Sequence, residues 1–177
     1  ITKSHLSIRN VNACHIKSFL CVMKKIGLKY KVYENIVEVF ESGDLKPINL
    51  KTSAYPGFPT DMQAQLVTLA CLSKGNSKIQ ENIFENRFMH IPELNRLGAK
   101  IKIKGNKAII EGNSNFIGAE VMATDLRASV SLILAGLAAK GKTKVNRVYH
   151  LDRGYEKIDT KLSACGAEIY RNKNENH

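Results

Sequence analysis

The sequence predicts an α/β fold built from repeated units, and two observations support this prediction. A Thr-Asp phrase, with an alanine three residues after the aspartate, begins an apolar stretch at Thr60 and again at Thr124. A glycine closes each stretch, at Gly75 and Gly141, and a short strand-like run follows each glycine at the same spacing. Self-similarity at a fixed period, here roughly 65 residues, is typical of repeat architectures. We therefore expect helix and strand to alternate in units that must pack together to bury their apolar faces.

A third, incomplete copy lies at the front of the chain. The segment around Gly27 matches the segment around Gly98, and Gly166 lies in a third match. Residues corresponding to the Thr-Asp helix would precede Ile1, and the sequence starts without Met. We therefore expect a fragment or processed piece of a longer polypeptide. The expected organisation is one domain over residues 1–177, with units at about 1–59 (incomplete), 60–123 and 124–171.

The front copy contains a predicted β-hairpin. Residues 30–33 and 36–40 are rich in aromatic and β-branched side chains, and Glu34-Asn35 separates them. Two polar residues between such runs are typical of a tight hairpin turn.

The first complete copy begins with a predicted helix over residues 61–74. Pro59 precedes Thr60, and Gln63 lies three residues after Thr60, as in a capping box. Leucines at helical spacing continue to Gly75, which is expected to end the helix.

The rest of this copy predicts strands. A strand is expected from Ile79, and the alternation of lysine and isoleucine over residues 100–104 predicts another. Gly105-Asn106 predicts a hairpin turn into residues 108–110.

The second complete copy repeats the helix and the strand. The helix from Asp125 to Gly141 is apolar around much of its circumference, which is typical of a largely buried helix. A strand is expected from Val145.

Composition limits the classes of function. The chain has 177 residues, 44% hydrophobic content and a net charge of +11, so it can form a sizeable core and suits an anionic partner. Nucleic acid is not expected as the partner, because the lysines are dispersed and aromatic content is only 7%. No apolar run reaches the ~20 residues of a membrane span, and no signal peptide is evident, so a cytoplasmic location is expected.

The cysteines predict neither a metal nor a redox site. Cys14, Cys21, Cys71 and Cys165 show no CxxC spacing and lie in apolar helical contexts. Buried, reduced thiols are the favoured interpretation.

Four segments carry a resemblance to a known family. The sequence YPGFPTDMQAQ over residues 55–65 resembles a signature of the enolpyruvyl transferases, specifically of the branch that acts on UDP-N-acetylglucosamine. Residues 84–90, 123–129 and 150–156 also resemble this family, in the same order and at the same spacing. The resemblance is strong over residues 55–170.

The resemblance implies a lobe of an inside-out α/β barrel, built from repeated βαβαββ units with the first unit truncated. Two such lobes form the enzyme, with the substrates between them, and this chain resembles most of the C-terminal lobe. The implied reaction moves the enolpyruvyl group of phosphoenolpyruvate to the 3-hydroxyl of UDP-N-acetylglucosamine and releases phosphate. It is the first step of peptidoglycan precursor synthesis, and it requires no metal and no organic cofactor. The implied partner is the N-terminal lobe of the same polypeptide, and the full-length protein is expected to be a monomer.

The resemblance also implies roles for individual residues. Asp61 is the expected base that takes the proton of the sugar hydroxyl, and the backbone of Ile83 is expected to hold the nucleotide sugar. From spacing alone, a purely structural helix cap is the favoured interpretation of Asp61, and the resemblance favours the base instead.

The remaining expected site residues bind the anionic substrate. Arg153, at a predicted strand-to-helix junction, resembles the family's phosphoenolpyruvate-binding arginine, and a guanidinium beside a helix start can bind phosphate. Asp125 and Arg127 resemble residues that close around the same ligand. Arg87 occupies the repeat position of Arg153, and it is either a second ligand of this cleft or part of a structural ion pair.

The general acid of this family is a cysteine on a loop of the other lobe, and none of the four cysteines here matches it. We therefore expect no transferase activity from this chain alone. Two alternatives stay open: a lobe of the relative that uses shikimate 3-phosphate, and a non-catalytic basic binding module.

Overall fold

Three small sheets with helices packed beside them follow one another along the chain. The computed structural model describes residues 1–172. The predicted mixed α/β fold is confirmed, and in the described part the sheets contain three, four and two strands.

The first sheet is antiparallel, and one helix connects two of its strands. Its strand order is β1-β3-β2, and the predicted hairpin at Glu34-Asn35 joins β2 to β3. The elements are β1 (Leu6–Arg9), α1 (Lys17–Ile26), β2 (Lys29–Tyr33) and β3 (Ile36–Phe40).

The second sheet is mixed, with strand order β4-β5-β7-β6. β4 and β5 are parallel, and the other pairs are antiparallel. The predicted turn joins β6 to β7, and Gly105 takes the left-handed conformation there, with φ 57°. The elements are β4 (Asn49–Lys51), a short 3₁₀ turn (Thr60–Met62), α2 (Gln63–Cys71), β5 (Ser77–Gln80), α3 (Ile91–Arg96), β6 (Lys100–Lys104) and β7 (Lys107–Glu111).

The third sheet is a parallel pair formed by β8 and β9. Its elements are β8 (Glu120–Met122), α4 (Leu126–Ala138), β9 (Lys144–Asn146), α5 (Tyr149–Asp152) and α6 (Ile158–Ala164). No strand follows α6 among the residues that the structure describes. The match of the Gly166 segment to the Gly98 segment is therefore limited to the end of the helix. Both glycines are left-handed, with φ 92° and 94°, and the alanine after each donates to a carbonyl five residues earlier.

The two complete copies share a β-α-β crossover. α2 connects the parallel strands β4 and β5, and α4 connects the parallel strands β8 and β9. The strands β4 and β8 precede the two Thr-Asp phrases, so each phrase lies at the strand-to-helix junction of its crossover. The division at residues 59/60 and 123/124 stays a prediction.

One apolar core connects the copies. It includes Ile26 of α1, Leu66 of α2, Ile79 of β5, Leu94 of α3 and Leu132 of α4, all at most 2% exposed. Helices α2 and α4 pack against each other, and buried residues lie on most of the circumference of α4, as predicted. The starts of α2 and α4 are therefore held close together.

The predicted helix over residues 61–74 is correct in position and wrong in extent. The α-helix begins only at Gln63, after the 3₁₀ turn, and ends at Cys71. Hydrogen bonds of the i to i−3 type tighten the chain at Leu72 and Ser73, and the Lys74 amide then donates to the Leu45 carbonyl. A tertiary contact thus ends the helix before Gly75.

The prediction of buried thiols holds only for Cys71. Burial raises the pKa of the Cys71 thiol to about 12, so this thiol stays protonated. The free thiols of Cys14, Cys21 and Cys165 are exposed, so the apolar residues beside them in sequence face away from these side chains.

None of the helices in the described part of the chain is long and apolar enough to cross a membrane.

Candidate functional site

Asp125 caps the helix that it precedes. Its backbone is extended, with φ −157°, and its carboxylate Oδ1 accepts from the Arg127 amide at 2.7 Å and the Ala128 amide at 3.0 Å. An aspartate in this position satisfies amides that have no partner within the helix. One carboxylate oxygen of this expected ligand-binding residue is therefore engaged by its own helix.

Asp61 has a different environment. It lies inside the 3₁₀ turn, its side chain is 63% exposed, and α2 has no side-chain cap. Asp61 Oδ1 accepts from Arg127 Nε at 2.7 Å and lies 2.6 Å from Arg127 Nη2. The structure therefore does not support the interpretation of Asp61 as a helix cap, and it brings together two predicted site residues from different copies.

The predicted capping box at Thr60 is wrong. Thr60 Oγ1 donates to Glu81 Oε2 at 2.9 Å instead of accepting from an amide of its helix. Gln63 is buried, and neither the 3₁₀ turn nor α2 has a side-chain cap. A buried carboxylate competes successfully for the Thr60 hydroxyl because an unpartnered buried charge is costly.

Arg87 lies at the edge of the same group. Its Nη2 is 3.9 Å from Asp61 Oδ1, and its guanidinium stacks 4.4 Å above the Phe84 ring. The Arg87 side chain is 18% exposed, so little of it is free to move. The acid nearest to Arg87 is Asp61, and its guanidinium is therefore next to the candidate base.

Ile83 is held through its backbone. Its side chain is exposed, and its amide donates to Glu81 Oε1 at 2.8 Å. This hydrogen bond occupies the amide and fixes the orientation of the peptide. The backbone group of Ile83 that a ligand can still engage is its carbonyl.

Arg153 is exposed and follows the short helix α5, so the predicted strand-to-helix junction is wrong there. Leu151 is buried, and its packing places a helical turn between β9 and Arg153. At Gly154, a Cβ would lie 2.9 Å from Leu126 Cδ2. This close approach puts the Arg153 turn against the first turn of α4, which also carries Arg127.

His90 is a residue that the sequence analysis missed. It is 2% exposed, and its Nε2 has no partner in the described residues. Burial lowers the pKa of His90 to about 4, while Asp125 and the Arg87 backbone act in the opposite direction. The buried imidazole of His90 is therefore neutral at physiological pH.

Glu81 was also missed, although the sequence contains a signal for it. Ser77, Ile79 and Glu81 alternate along one strand face, and all three are buried. An acid in register with an apolar strand face indicates a buried carboxylate with dedicated partners.

The site is an exposed cluster in which Arg87 and Arg127 flank Asp61, with Arg153 on an adjoining turn. Guanidinium groups suit phosphate and carboxylate ligands because they donate two parallel hydrogen bonds. No group of three or more His, Cys, Asp or Glu side chains in residues 1–172 is arranged to hold a metal ion. A surface cavity of about 550 Å³ between Lys24 and Phe40 lies elsewhere, and its lining includes none of these site residues.

Comparison with known proteins identifies a family. The model of the EPSP synthase family (3-phosphoshikimate 1-carboxyvinyltransferase) matches residues 1–162. The UDP-N-acetylglucosamine 1-carboxyvinyltransferase of Pelagibacter ubique is 56% identical over 171 residues, which cover 97% of this chain and 41% of that relative. The same enzyme of a Nitratiruptor species is 54% identical, again over 97% of this chain and 41% of the relative. The chain thus spans about two fifths of the length of these relatives.

Solved structures agree on the fold. The enolpyruvyl transferase NikO from Streptomyces tendae superposes with a TM-score of 0.87 at 27% identity, covering 94% of this chain and 40% of that one. An EPSP synthase from Acinetobacter baumannii superposes with a TM-score of 0.63 over 82% of this chain and 35% of that one. At 15% identity, this second likeness supports the fold alone.

Proposed function

This chain belongs to the enolpyruvyl transferase family that the EPSP synthase model describes, and from that premise we propose that it is one lobe of an enzyme acting on UDP-N-acetylglucosamine. The proposed reaction transfers the enolpyruvyl group of phosphoenolpyruvate to the sugar 3-hydroxyl and releases phosphate. The other lobe belongs to the same polypeptide, and the substrates bind between the two.

The contact between Asp61 and Arg127 carries this proposal. The reaction needs a base at the sugar hydroxyl and cations at the phosphate and carboxylate of the second substrate. An exposed carboxylate with a guanidinium at 2.6 Å provides both kinds of group at one point. A purely structural surface pair would not be expected to have a second arginine at 3.9 Å and a third on the adjoining turn.

The proposed roles follow from what each group can do. Asp61 takes the proton of the 3-hydroxyl while the hydroxyl oxygen of the sugar bonds to the central carbon of phosphoenolpyruvate. The CH₂ carbon of the alkene takes a proton from a group of the other lobe. The resulting methyl group then loses a proton to a base as the C–O bond to phosphate breaks, and this elimination restores the double bond in the product. Arg127 and Arg153 hold the phosphate and the carboxylate, and Arg87 adds positive charge beside them.

The nucleotide sugar is proposed to rest on the Ile83 segment. The Ile83 amide is occupied by Glu81, so the carbonyl is the group offered to the ligand. Asp125 keeps one carboxylate oxygen on its own helix, and the other is proposed to orient Arg127 around the anionic substrate.

A second candidate acceptor is shikimate 3-phosphate, because the matching family model carries the name of the enzyme that uses it. We favour the UDP-sugar because relatives named for it share 56% and 54% identity with this chain, whereas the superposed EPSP synthase shares 15%.

The product of the proposed reaction is a precursor of peptidoglycan, and we propose that the enzyme works in the cytoplasm as a monomer, with roles in cell shape and division. A basic binding module remains the non-enzymatic alternative. Oligonucleotide binding at physiological salt with only a small salt dependence would favour that module.

The test is phosphate release from phosphoenolpyruvate by the complete two-lobed protein, with either acceptor. We expect turnover with UDP-N-acetylglucosamine, none with shikimate 3-phosphate, and none from residues 1–177 alone. Asp61→Asn provides the inactive control. Turnover with shikimate 3-phosphate only, or turnover by this chain alone, would contradict the proposal.

A further inference from the structure

The buried carboxylate of Glu81 lies next to the site, and none of the roles proposed above is assigned to it. Glu81 is 3% exposed. Its Oε1 accepts from Thr52 Oγ1 at 2.8 Å, from the Ile83 amide at 2.8 Å and from the Phe84 amide at 3.2 Å. Its Oε2 accepts from Thr60 Oγ1 at 2.9 Å.

These donors come from three separate segments. Thr52 follows β4, Thr60 immediately precedes Asp61, and Ile83 and Phe84 form the loop after β5. The same loop carries the ring on which the Arg87 guanidinium stacks. One carboxylate therefore links the turn of the candidate base to the loop proposed to hold the nucleotide sugar.

The backbone of Glu81 is anchored as well. Its amide donates to the Asn106 carbonyl at 2.9 Å, and Asn106 Nδ2 donates to the Glu81 carbonyl at 3.0 Å. The β6–β7 turn thus holds the residue in place, and the carboxylate has little freedom to follow a displaced loop.

The sister copies show that the fold does not require an acid here. Glu81 is the first residue after β5, and the corresponding residues after β1 and β9 are Asn10 and Arg147. Both take left-handed backbone conformations, with φ 59° and 58°, whereas Glu81 does not.

The partners of Glu81 differ between the copies too. Ala123 follows β8 where Thr52 follows β4, so the first hydroxyl is missing from the third sheet. Thr124, the counterpart of Thr60, has a buried Oγ1 without a partner in the described residues. Within residues 1–172, the complete arrangement of carboxylate and donors occurs only beside Asp61.

We propose that Glu81 is a positioning residue that fixes Asp61, through Thr60, and the Ile83–Phe84 loop in one relative geometry. Productive attack needs the base and the sugar hydroxyl in register, and a displacement of about 1 Å can cost about 100-fold in rate. This inference rests on the proposed function, because the loop and Asp61 act on the same substrate only in that reaction.

The physical link can be tested in the complete protein by amide hydrogen exchange. Glu81→Gln keeps the shape and removes the charge, so the Ile83 and Phe84 amides should exchange faster in that variant. Thr124→Val is the matched control because its hydroxyl has no partner, and it should leave both amides unchanged. Unchanged exchange in Glu81→Gln would overturn the link.

The functional role is tested by steady-state kinetics of the complete protein. Glu81→Gln should lower kcat and raise KM for UDP-N-acetylglucosamine, each by about tenfold or more. Thr60→Val breaks only the connection to Asp61, so it should lower kcat by about fivefold and leave KM within about twofold. Thr124→Val should leave both constants within about twofold of wild type.

Equal losses in Thr60→Val and Thr124→Val, or wild-type kinetics in Glu81→Gln, would overturn the inference. If Glu81→Gln does not fold, the difference between the two threonine variants decides. A wild-type protein without turnover would refute the proposed function, whereas an active wild type with an unaffected Glu81→Gln variant would refute only this inference.

Discussion

The helix starts at Asp61 and Asp125 carry the same Thr-Asp phrase and use it in opposite ways. In the second copy, Asp125 binds the amides of its own helix, and the Thr124 hydroxyl has no partner in the described residues. In the first copy, the Thr60 hydroxyl binds Glu81, and Asp61 turns outward to Arg127. The same local sequence thus caps a helix at one position and leaves an exposed carboxylate, that of the proposed base, at the other.

The cause of the difference lies in the surroundings. An extended backbone puts Asp125 at the cap position, whereas a 3₁₀ turn after Pro59 moves the start of α2 to Gln63 and leaves Asp61 outside that position. Glu81 attracts the Thr60 hydroxyl, and Arg147 occupies the matching place in the other copy. Contacts with residues outside the Thr-Asp phrase therefore decide which of the two carboxylates is exposed.

The largest expected effect is on activity, and it distinguishes Asp61 from Asp125. Asp61→Asn in the complete protein should lower kcat by about 1,000-fold, because general-base catalysis contributes about 100- to 10,000-fold. The stability should change by less than about 1 kcal/mol, because the pair with Arg127 is exposed. Phosphate release and urea unfolding measure the two quantities. A variant with kcat within tenfold of wild type would show that Asp61 is not the base.

Arg127 is expected to act on substrate binding. Arg127→Gln should raise KM for phosphoenolpyruvate by about 10- to 100-fold, because hydrogen bonds to charged groups contribute about 1.5–3 kcal/mol. KM for UDP-N-acetylglucosamine should change little. Arg96→Gln, at an exposed side chain on α3, is the matched control. An effect confined to the nucleotide sugar would contradict the role of Arg127 in anion binding.

Low pH should destabilise the folded protein through His90, whose pKa is affected by Asp125. The pKa of His90 is lowered to about 4 in the folded protein against 6.5 when solvated, so below pH 6.5 the unfolded chain binds the proton more readily. Stability is therefore lost as the pH falls from 6.5 towards 4, by about 2 kcal/mol between pH 7.5 and 5. Urea unfolding of the wild type and of His90→Asn tests this. Between pH 7.5 and 5, the free energy of unfolding of His90→Asn should fall by about 2 kcal/mol less than that of the wild type. Equal losses in the two proteins would contradict the prediction.

The smallest expected effect concerns the cap itself. Asp125→Ala should destabilise the chain by about 1 kcal/mol, because it removes the acceptor of two amides at the start of α4. Asp61→Ala should cost less, since Asp61 caps nothing. Urea unfolding of both variants at neutral pH gives the comparison. An equal or greater loss for Asp61→Ala would remove the distinction between the two helix starts.

Much of the fold was predictable because its signals are local. The hairpins at Glu34-Asn35 and Gly105-Asn106 depend on a few neighbouring residues, and the repeat places both Thr-Asp phrases at helix starts. The end of α2 was not predictable, because a hydrogen bond from Lys74 to Leu45 sets it. Of the three exposed cysteines, only Cys21 lies within a helix, and its exposure depends on which face of α1 meets the core.

The residues of the candidate site were predictable from the sequence, whereas their spatial arrangement was not. The family resemblance pointed to Asp61 and Arg127, and the internal repeat pointed to Arg87; the structure brings these three side chains together. The contact of Asp61 with Arg127 spans 66 positions, and no periodicity within one copy contains that information. His90 was missed because its importance comes from burial, which depends on the assembled core, whereas the alternation of Ser77, Ile79 and Glu81 was a local signal that was not used.

A ligand-bound structure of the complete protein tests the central claim most directly. With UDP-N-acetylglucosamine bound, we expect an Asp61 carboxylate oxygen within about 2.6–3.2 Å of the sugar 3-hydroxyl. Asp125 should keep its hydrogen bonds to the amides of Arg127 and Ala128. A 3-hydroxyl bound to Asp125, or one with no carboxylate of this chain in reach, would contradict the assignment of Asp61 as the base.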